Sequence, residues 1–267
     1  ALFFRKQPSP LEVINDIDGD VFNLYRVLRQ PKLFEKFRHL TKATLHCRAT
    51  FDSCRGVLVS PTQRLSKEEQ VKRAWMFFVR CRQAYSGKPG QSWRYDRTGS
   101  ARGMAKTTAN WCSAVERLPQ IHARLRRTII ENCDFERLIE RHDGPETFFY
   151  LDPPYVTASR VHKKEYRHEM TDNDHRRLVK ILLGLKGMAA LSGYAQQLTG
   201  GEHALYRPLE DAGWQRLSFD VPCPSGTPDK RTGKRPRRTE VLWLCPKTIE
   251  KLDESKRLAA IASGYEG

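Results

Sequence analysis

One tetrapeptide carries the chemistry most legibly: Asp152-Pro153-Pro154-Tyr155, preceded by Thr147-Phe148-Phe149-Tyr150-Leu151. The preceding residues, rich in aromatic and β-branched side chains, read as a buried strand that delivers a polar tip at its carboxyl end. Neither proline can donate a backbone hydrogen bond or continue a sheet, so the pair stops the strand and stiffens the turn. Asp152 and Tyr155 are then held in fixed relation. This arrangement fits a reaction on a planar amine: the carboxylate accepts one N–H, the Pro153 carbonyl accepts the other, and the tyrosine ring stacks on the base. The plain structural alternative is a tight Asp-Pro-Pro turn at a strand end.

Composition names the class of partner. The 267 residues hold 47 Lys and Arg against 31 Asp and Glu, a formal charge of +16. Such an excess calls for a polyanion, most simply nucleic acid, the bland alternative being a solvated basic surface. The seven cysteines are odd in number and show no CxxC or Cys/His spacing, so reduced thiols are expected rather than a disulfide framework or a zinc site. His162, His168 and His175 do not have metal-ligand spacing, and no metal is expected. No run of 18 apolar residues exists, and no membrane span or signal peptide is expected.

The elements that must position the tetrapeptide follow from periodicity and punctuation. Leu11 to Ile14 reads as a short strand ending at Asn15-Asp16. In a nucleotide-binding fold an acid there binds ribose hydroxyls, although Asn15, Asp16, Asp18 or Asp20 can also cap the next helix. Val21, Phe22, Leu24, Tyr25, Val27 and Leu28 form an apolar helical face ending before Pro31. Helices are expected at 33–46, 67–85 and 108–126. Between the last two lies a Gly-, Ser- and Arg-rich loop from Ser86 to Gly103. In it, Arg94 and Arg97 suit phosphates or guanine edges, and Trp93 or Tyr95 suits an unpaired base. The alternative is a surface loop with two anchoring aromatics.

A strand over 125–131 ends at Asn132-Cys133-Asp134-Phe135, where Asp134 can cap a helix over 134–142. After the tetrapeptide, residues 156–167 are polar and basic, with Arg160, Lys163 and Lys164. Thr171 and Asp174 read as a capping pair opening a helix whose buried face is Leu178, Ile181, Leu182 and Leu185. A strand over 187–191 runs into Ser192-Gly193-Tyr194. A closing strand pair, 214–219 and 239–244, brackets a basic hairpin containing Arg231 and Arg235 that suits phosphates or is a solvated charge run.

Asp152-Pro153-Pro154-Tyr155 resembles the DPPY motif of amino-group DNA methyltransferases. With its flanks, the chain resembles the Dam-like, D12-class adenine-N6 methylases, especially phage-type members. The resemblance implies an α/β fold: a Rossmann-like methyltransferase sheet, mostly parallel, with an inserted helical target-recognition lobe. Residues 1–32 and 125–267 would form the catalytic domain, and 33–124 the insertion. It implies S-adenosyl-L-methionine as cofactor, double-stranded DNA as partner, a monomer, and a cytoplasmic, bacterial or phage-encoded protein. It assigns catalysis to Asp152, Pro153, Pro154 and Tyr155. It assigns cofactor binding to Asp16 at the ribose, to Asp134 and Phe135 at the adenine, and to Asp152. It aligns residues 156–167 with the loop that closes over a flipped nucleotide. The family's FxGxG turn and its more N-terminal lysine motif are not in these residues, so an N-terminally truncated piece, with one sheet strand before Ala1, is expected.

The expected function is site-specific transfer of a methyl group from S-adenosylmethionine to N6 of adenine in DNA, with the base flipped into the DPPY pocket. The alternatives are a non-catalytic DNA-binding remnant and an amino-methyltransferase acting on cytosine N4 or on RNA. A phosphate-handling enzyme would require a P-loop or clustered metal-binding acids, and neither stands out.

Overall fold

The structure is a computed structural model that describes residues 2–55, 65–155, 167–194, 202–222, 232 and 235–262. The chain divides into two compact units, Ala1–Cys133 and Asp134–Gly267, each with its own hydrophobic core. The fold is mixed α/β.

In the first unit, β1 (Val13–Asn15) pairs in parallel with β4 (Ile129–Glu131), Val13 opposite Ile129. The intervening chain is mainly helical: α1 (Gly19–Arg29), α2 (Pro31–Ala43), α3 (Arg48–Ser53) and α4 (Lys67–Gln83). A two-stranded hairpin, β2 (Ser100–Ala101) with β3 (Met104–Ala105), precedes α5 (Lys106–Glu116) and α6 (Leu118–Leu125). Arg102 and Gly103 at the hairpin tip both have positive φ, as a primed two-residue turn requires.

Local chemistry explains the boundaries. Asp18, one of the four candidate caps, starts α1 by accepting from the Asp20 and Val21 N–H groups. Pro31 ends that helix and opens the next, because its fixed φ suits a first helical position. Ser66 and Glu69 form a capping box on α4. The single helix expected over 108–126 is two helices meeting at Arg117. Pro119 lacks the N–H that an uninterrupted helix would use there. Val27, Leu28, Phe34, Phe37, Phe78 and Trp111 centre the buried cluster.

The second unit begins with α7 (Phe135–His142) and β5 (Phe148–Leu151). It continues with α8 (Asp172–Leu183), β6 (Met188–Tyr194), α9 (Glu202–Asp211), β7 (Gln215–Pro222), β8 (Arg237–Leu244) and α10 (Pro246–Ala262). Its four-stranded sheet has the order β5-β6-β8-β7. β5 and β6 are parallel; β8 is antiparallel to β6 and to β7. Among the described residues, parallel pairing therefore joins one strand pair in each unit, and the expected closing pair is the antiparallel β7–β8 ribbon. Central β6 is buried from Ala189 to Gly193 because both its edges are paired and helices cover it. Thr171 and Asp174 form the expected capping box on α8.

One close approach fixes the β5–β6 register. A Cβ on Gly187 would lie 2.6 Å from the Thr147 carbonyl oxygen and 2.7 Å from that of Gly144. The Asp143 carboxylate accepts from the Lys186 and Gly187 N–H groups at the same point. Met188 N–H then donates to Thr147 at 2.8 Å. Leu151 consequently ends opposite Leu191.

Candidate active site

That register brings Asp152 beside the end of β6. The Ser192 hydroxyl lies 2.8 Å from Asp152 Oδ1 and 3.2 Å from the Leu151 carbonyl oxygen, so one donor ties the carboxylate to the strand it follows. Asp152 is exposed, Ser192 buried, and Pro153, Pro154 and Tyr155 are half-buried. No described Lys, Arg or His forms an ion pair with Asp152. The carboxylate is oriented yet open to a ligand. A carboxylate has about four lone-pair sites, and one hydroxyl occupies one of them.

Aromatic rings wall this corner. Tyr155 meets Tyr194 edge-to-face, centroids 4.2 Å apart at 70°. The Arg238 guanidinium lies 4.9 Å from the Tyr194 ring centre and donates to Glu240 at 2.6 Å. Burial pushes the Tyr155 hydroxyl well above the ordinary tyrosine range, and the Asp152 charge adds to this, while the Ser192 hydroxyl opposes it. Burial and Asp152 raise Tyr150 in the same way. Both phenols are neutral at physiological pH. The sequence pointed to Tyr155 and the Ser192–Tyr194 stretch. Tyr150 and the Arg238–Glu240 pair follow from strand register, which no local pattern in the chain reveals.

Asp16 belongs to the first unit. It follows β1, its N–H reaching the Glu131 carbonyl at 3.4 Å, and its Oδ1 accepts from the Asp18 N–H at 2.9 Å. Asn132 donates to the Asp16 carbonyl at 2.7 Å. Asn15 grips Cys133 from both sides, its amide donating to the carbonyl at 2.9 Å and accepting from the N–H at 3.0 Å. Asn15 is thus a clamp on the strand ends, Asp18 takes the capping role, and Asp16 is held with its carboxylate just beyond the sheet.

Asp134 and Phe135 belong to the second unit. Asp134 caps α7, accepting from Glu136 N–H at 2.9 Å, and receives Arg177 at 2.9 Å. Arg177 also pairs with Glu136 and Asp174 at 3.4 Å, and its guanidinium lies 4.7 Å from the Phe135 ring centre. The expected acid–aromatic pair is therefore braced by a cation from α8 that the sequence did not single out.

The Trp93–Arg97 segment is more ordered than the expected loop. Trp93 bridges Ala84 as an isolated antiparallel pair, and Arg94 N–H donates to Gln83 at 2.8 Å. Trp93 and Tyr95 stack at 5.7 Å and 17°. The Arg48 guanidinium lies 4.9 Å from Trp93 and 5.9 Å from Tyr95, Arg97 lies 5.9 Å from Tyr95, and His46 stacks obliquely on Trp93 at 4.9 Å. Gln83, wholly buried, assembles this ladder: its amide donates to Leu45 at 3.0 Å and accepts from Cys47 N–H and the Trp93 indole. Burial lowers His46 below the ordinary histidine value. Arg48, which the sequence did not flag, joins the cluster through this glutamine. Arg235 is exposed ahead of β8. Arg160, Lys163, Lys164 and Arg231 lie outside the described residues.

Fold and corner define a mixed α/β protein with an acid–proline–proline–aromatic turn at a strand end. The family model described as D12 class N6 adenine-specific DNA methyltransferase matches residues 1–199. The chain belongs to this family. Membership makes it a member of an enzyme family whose reaction is S-adenosylmethionine-dependent methylation of adenine N6 in DNA. No curated protein matches the chain significantly.

Proposed function

We propose that this protein is a site-specific DNA adenine-N6 methyltransferase that works on a base flipped against the Asp152–Tyr155 corner. The observation that carries the reading is the exposed Asp152 carboxylate, fixed by Ser192 at the end of β5 beside half-buried Tyr155. An adenine amine is a poor nucleophile because its lone pair is delocalised into the ring. Asp152 and the Pro153 carbonyl accept its two hydrogens and favour a pyramidal nitrogen whose lone pair points outward. Pro154 stiffens the turn, and Tyr155 stacks on the base, which is out of reach inside a duplex. The carboxylate also stabilises positive charge developing on nitrogen, and the proton leaves later to water.

S-adenosylmethionine, when bound, supplies a sulfonium-activated methyl group. The chemistry of the donor set fits it: carboxylates following β1 and opening α7 accept from hydroxyls and amines. Asp16 is assigned to the ribose, Asp134 with Phe135 to the adenine, and Asp152 to the methyl-bearing end. Residues 1–32 and 125–267 make the catalytic domain around a mostly parallel Rossmann-like sheet, with 33–124 as the inserted recognition lobe. The ladder of Trp93, Arg94, Tyr95 and Arg97, extended by Arg48, contacts DNA together with Arg160, Lys163, Lys164, Arg231 and Arg235. Cations suit its phosphates, and the stacked rings suit its bases.

The test uses the protein that carries this chain, labelled S-adenosylmethionine and DNA, followed by digestion to nucleosides. Label is expected in N6-methyladenine. Asp152→Ala is expected to lower kcat by at least a thousandfold while DNA binding persists. Label in cytosine or RNA nucleosides, or parental activity in Asp152→Ala, overturns the reading.

A further inference from the structure

A cavity of about 530 Å³ opens where α1 gives way to α2. Phe22, Arg26, Arg29, Gln30, Pro31, Arg126 and Ile130 line it. Three of these are arginines from two distant stretches of chain. None has a carboxylate partner among the described residues. Arg26 is half-buried, its Nε has no hydrogen-bond partner, and one terminal nitrogen donates to Asn23 Oδ1 at 3.1 Å. Burial lowers its basicity, which an anion in the cavity would offset.

A second observation points the same way. α2 begins at this wall with no side-chain cap from Gln30 and no acid in its first turn. Its leading N–H groups and the positive end of its dipole favour an anion there. Arg26 and Arg29 also lie in the last turn of α1, where cations offset the dipole of that helix. That role explains neither Arg126 nor the uncapped start of α2. The eleven residues of α1 put this cavity about 16 Å from Asp18 and the strand ends that hold Asp16. Arg126 precedes β4, whereas Asp16 and Asn132 follow their strands.

We propose that this cavity binds the phosphate group of a nucleotide or nucleic-acid strand. The arginines and the α2 N-terminus take the oxyanion, and Phe22, Pro31 and Ile130 take the adjoining sugar or base. The phosphate belongs either to a free compound or to the DNA backbone.

Two titrations separate these sources, using inorganic pyrophosphate followed by calorimetry and ³¹P spectra, and a DNA duplex followed across salt concentration. Both compare the parent protein with R29Q/R126Q, whose two side chains are exposed, and with R26Q. Circular dichroism melts establish that each variant is folded, and Arg29→Gln alone replaces the double variant if that one unfolds. Pyrophosphate binding to the parent that weakens at least tenfold in R29Q/R126Q establishes a free-phosphate site. Absent pyrophosphate binding, a fall of about 0.9 per removed arginine in the slope of log affinity against log salt establishes a backbone contact. Pyrophosphate binding equal in parent and variants, or no pyrophosphate binding with an unchanged DNA slope, overturns the proposal. If the parent binds no DNA, the methyltransferase reading fails, and the pyrophosphate titration alone decides the cavity.

Discussion

At the scale of single residues, the corner depends on a donor that orients a charge. Ser192 holds Asp152 at 2.8 Å, and a hydrogen bond to a charged group contributes about 1.5–3 kcal/mol. Ser192→Ala is expected to lower kcat by roughly tenfold or more, leaving KM for DNA and the folded state unchanged. Unchanged kcat in steady-state assays would remove Ser192 from the positioning role. Tyr155 yields a pH prediction. Its folded-state pKa lies above the unfolded value of about 10, so the folded state retains its proton where the unfolded chain loses it. Its contribution is fully present below pH 10 and is lost as pH rises beyond that value. Tyr155→Phe should flatten the decline of stability above pH 10 in denaturant titrations, and methylation by the parent should show no titration of this phenol below it. Asp152 and Tyr155 were legible in the sequence because a rigid acid–proline–proline–aromatic run is itself a local geometry. Ser192 stood only 40 residues later as a member of a small polar strand end. Its pairing with Asp152 is a property of register.

At the scale of elements, register is set by Gly187. Two backbone oxygens lie within 2.7 Å of where its Cβ would stand, and neither belongs to a side chain that can swing away. Gly187→Ala is expected to destabilise the protein by about 1–3 kcal/mol, the usual cost of overpacking, and to reduce methylation through the displaced end of β5. Thermal melts and activity assays check both effects, and a variant with parental melting temperature would mean the approach relaxes without cost. The same scale shows what the chain can and cannot reveal. Strand and helix existence was readable wherever punctuation was strong: Pro31 between two helices, Thr171 and Asp174 opening α8, two prolines closing β5. The break at Arg117 is not legible in the sequence because apolar periodicity continues through Pro119 and outweighs it. The Trp93–Arg97 segment read as a loop because its order comes from Gln83, a buried amide that bonds residues 36 and 38 positions earlier as well as Trp93. Sequence-local reasoning has no access to such a hub.

At the scale of the whole molecule, charge is unevenly distributed. Residues 1–133 carry nearly all of the +16 formal charge, whereas acids and bases nearly balance over 134–267. The unit with the arginine-flanked aromatic ladder is thus the one whose field attracts a polyanion, and the unit with Asp152 is close to neutral. Steering of DNA benefits from such a concentrated positive field. Binding driven by phosphate neutralisation releases counterions, so log affinity should fall linearly with log salt. With on the order of six to ten phosphate contacts, the loss between 50 and 200 mM salt is about 10³- to 10⁵-fold. Arg94→Gln and Arg97→Gln should each reduce the slope by about 0.9. Arg207→Gln, at an exposed position of α9 in the second unit where Arg207 pairs with Asp211 at 2.9 Å, should leave it unchanged. Fluorescence anisotropy with a labelled duplex measures all of these slopes. Equal slopes for Arg97→Gln and Arg207→Gln would mean that the ladder does not meet phosphate, and that the charge concentrated in residues 1–133 acts only as a diffuse field.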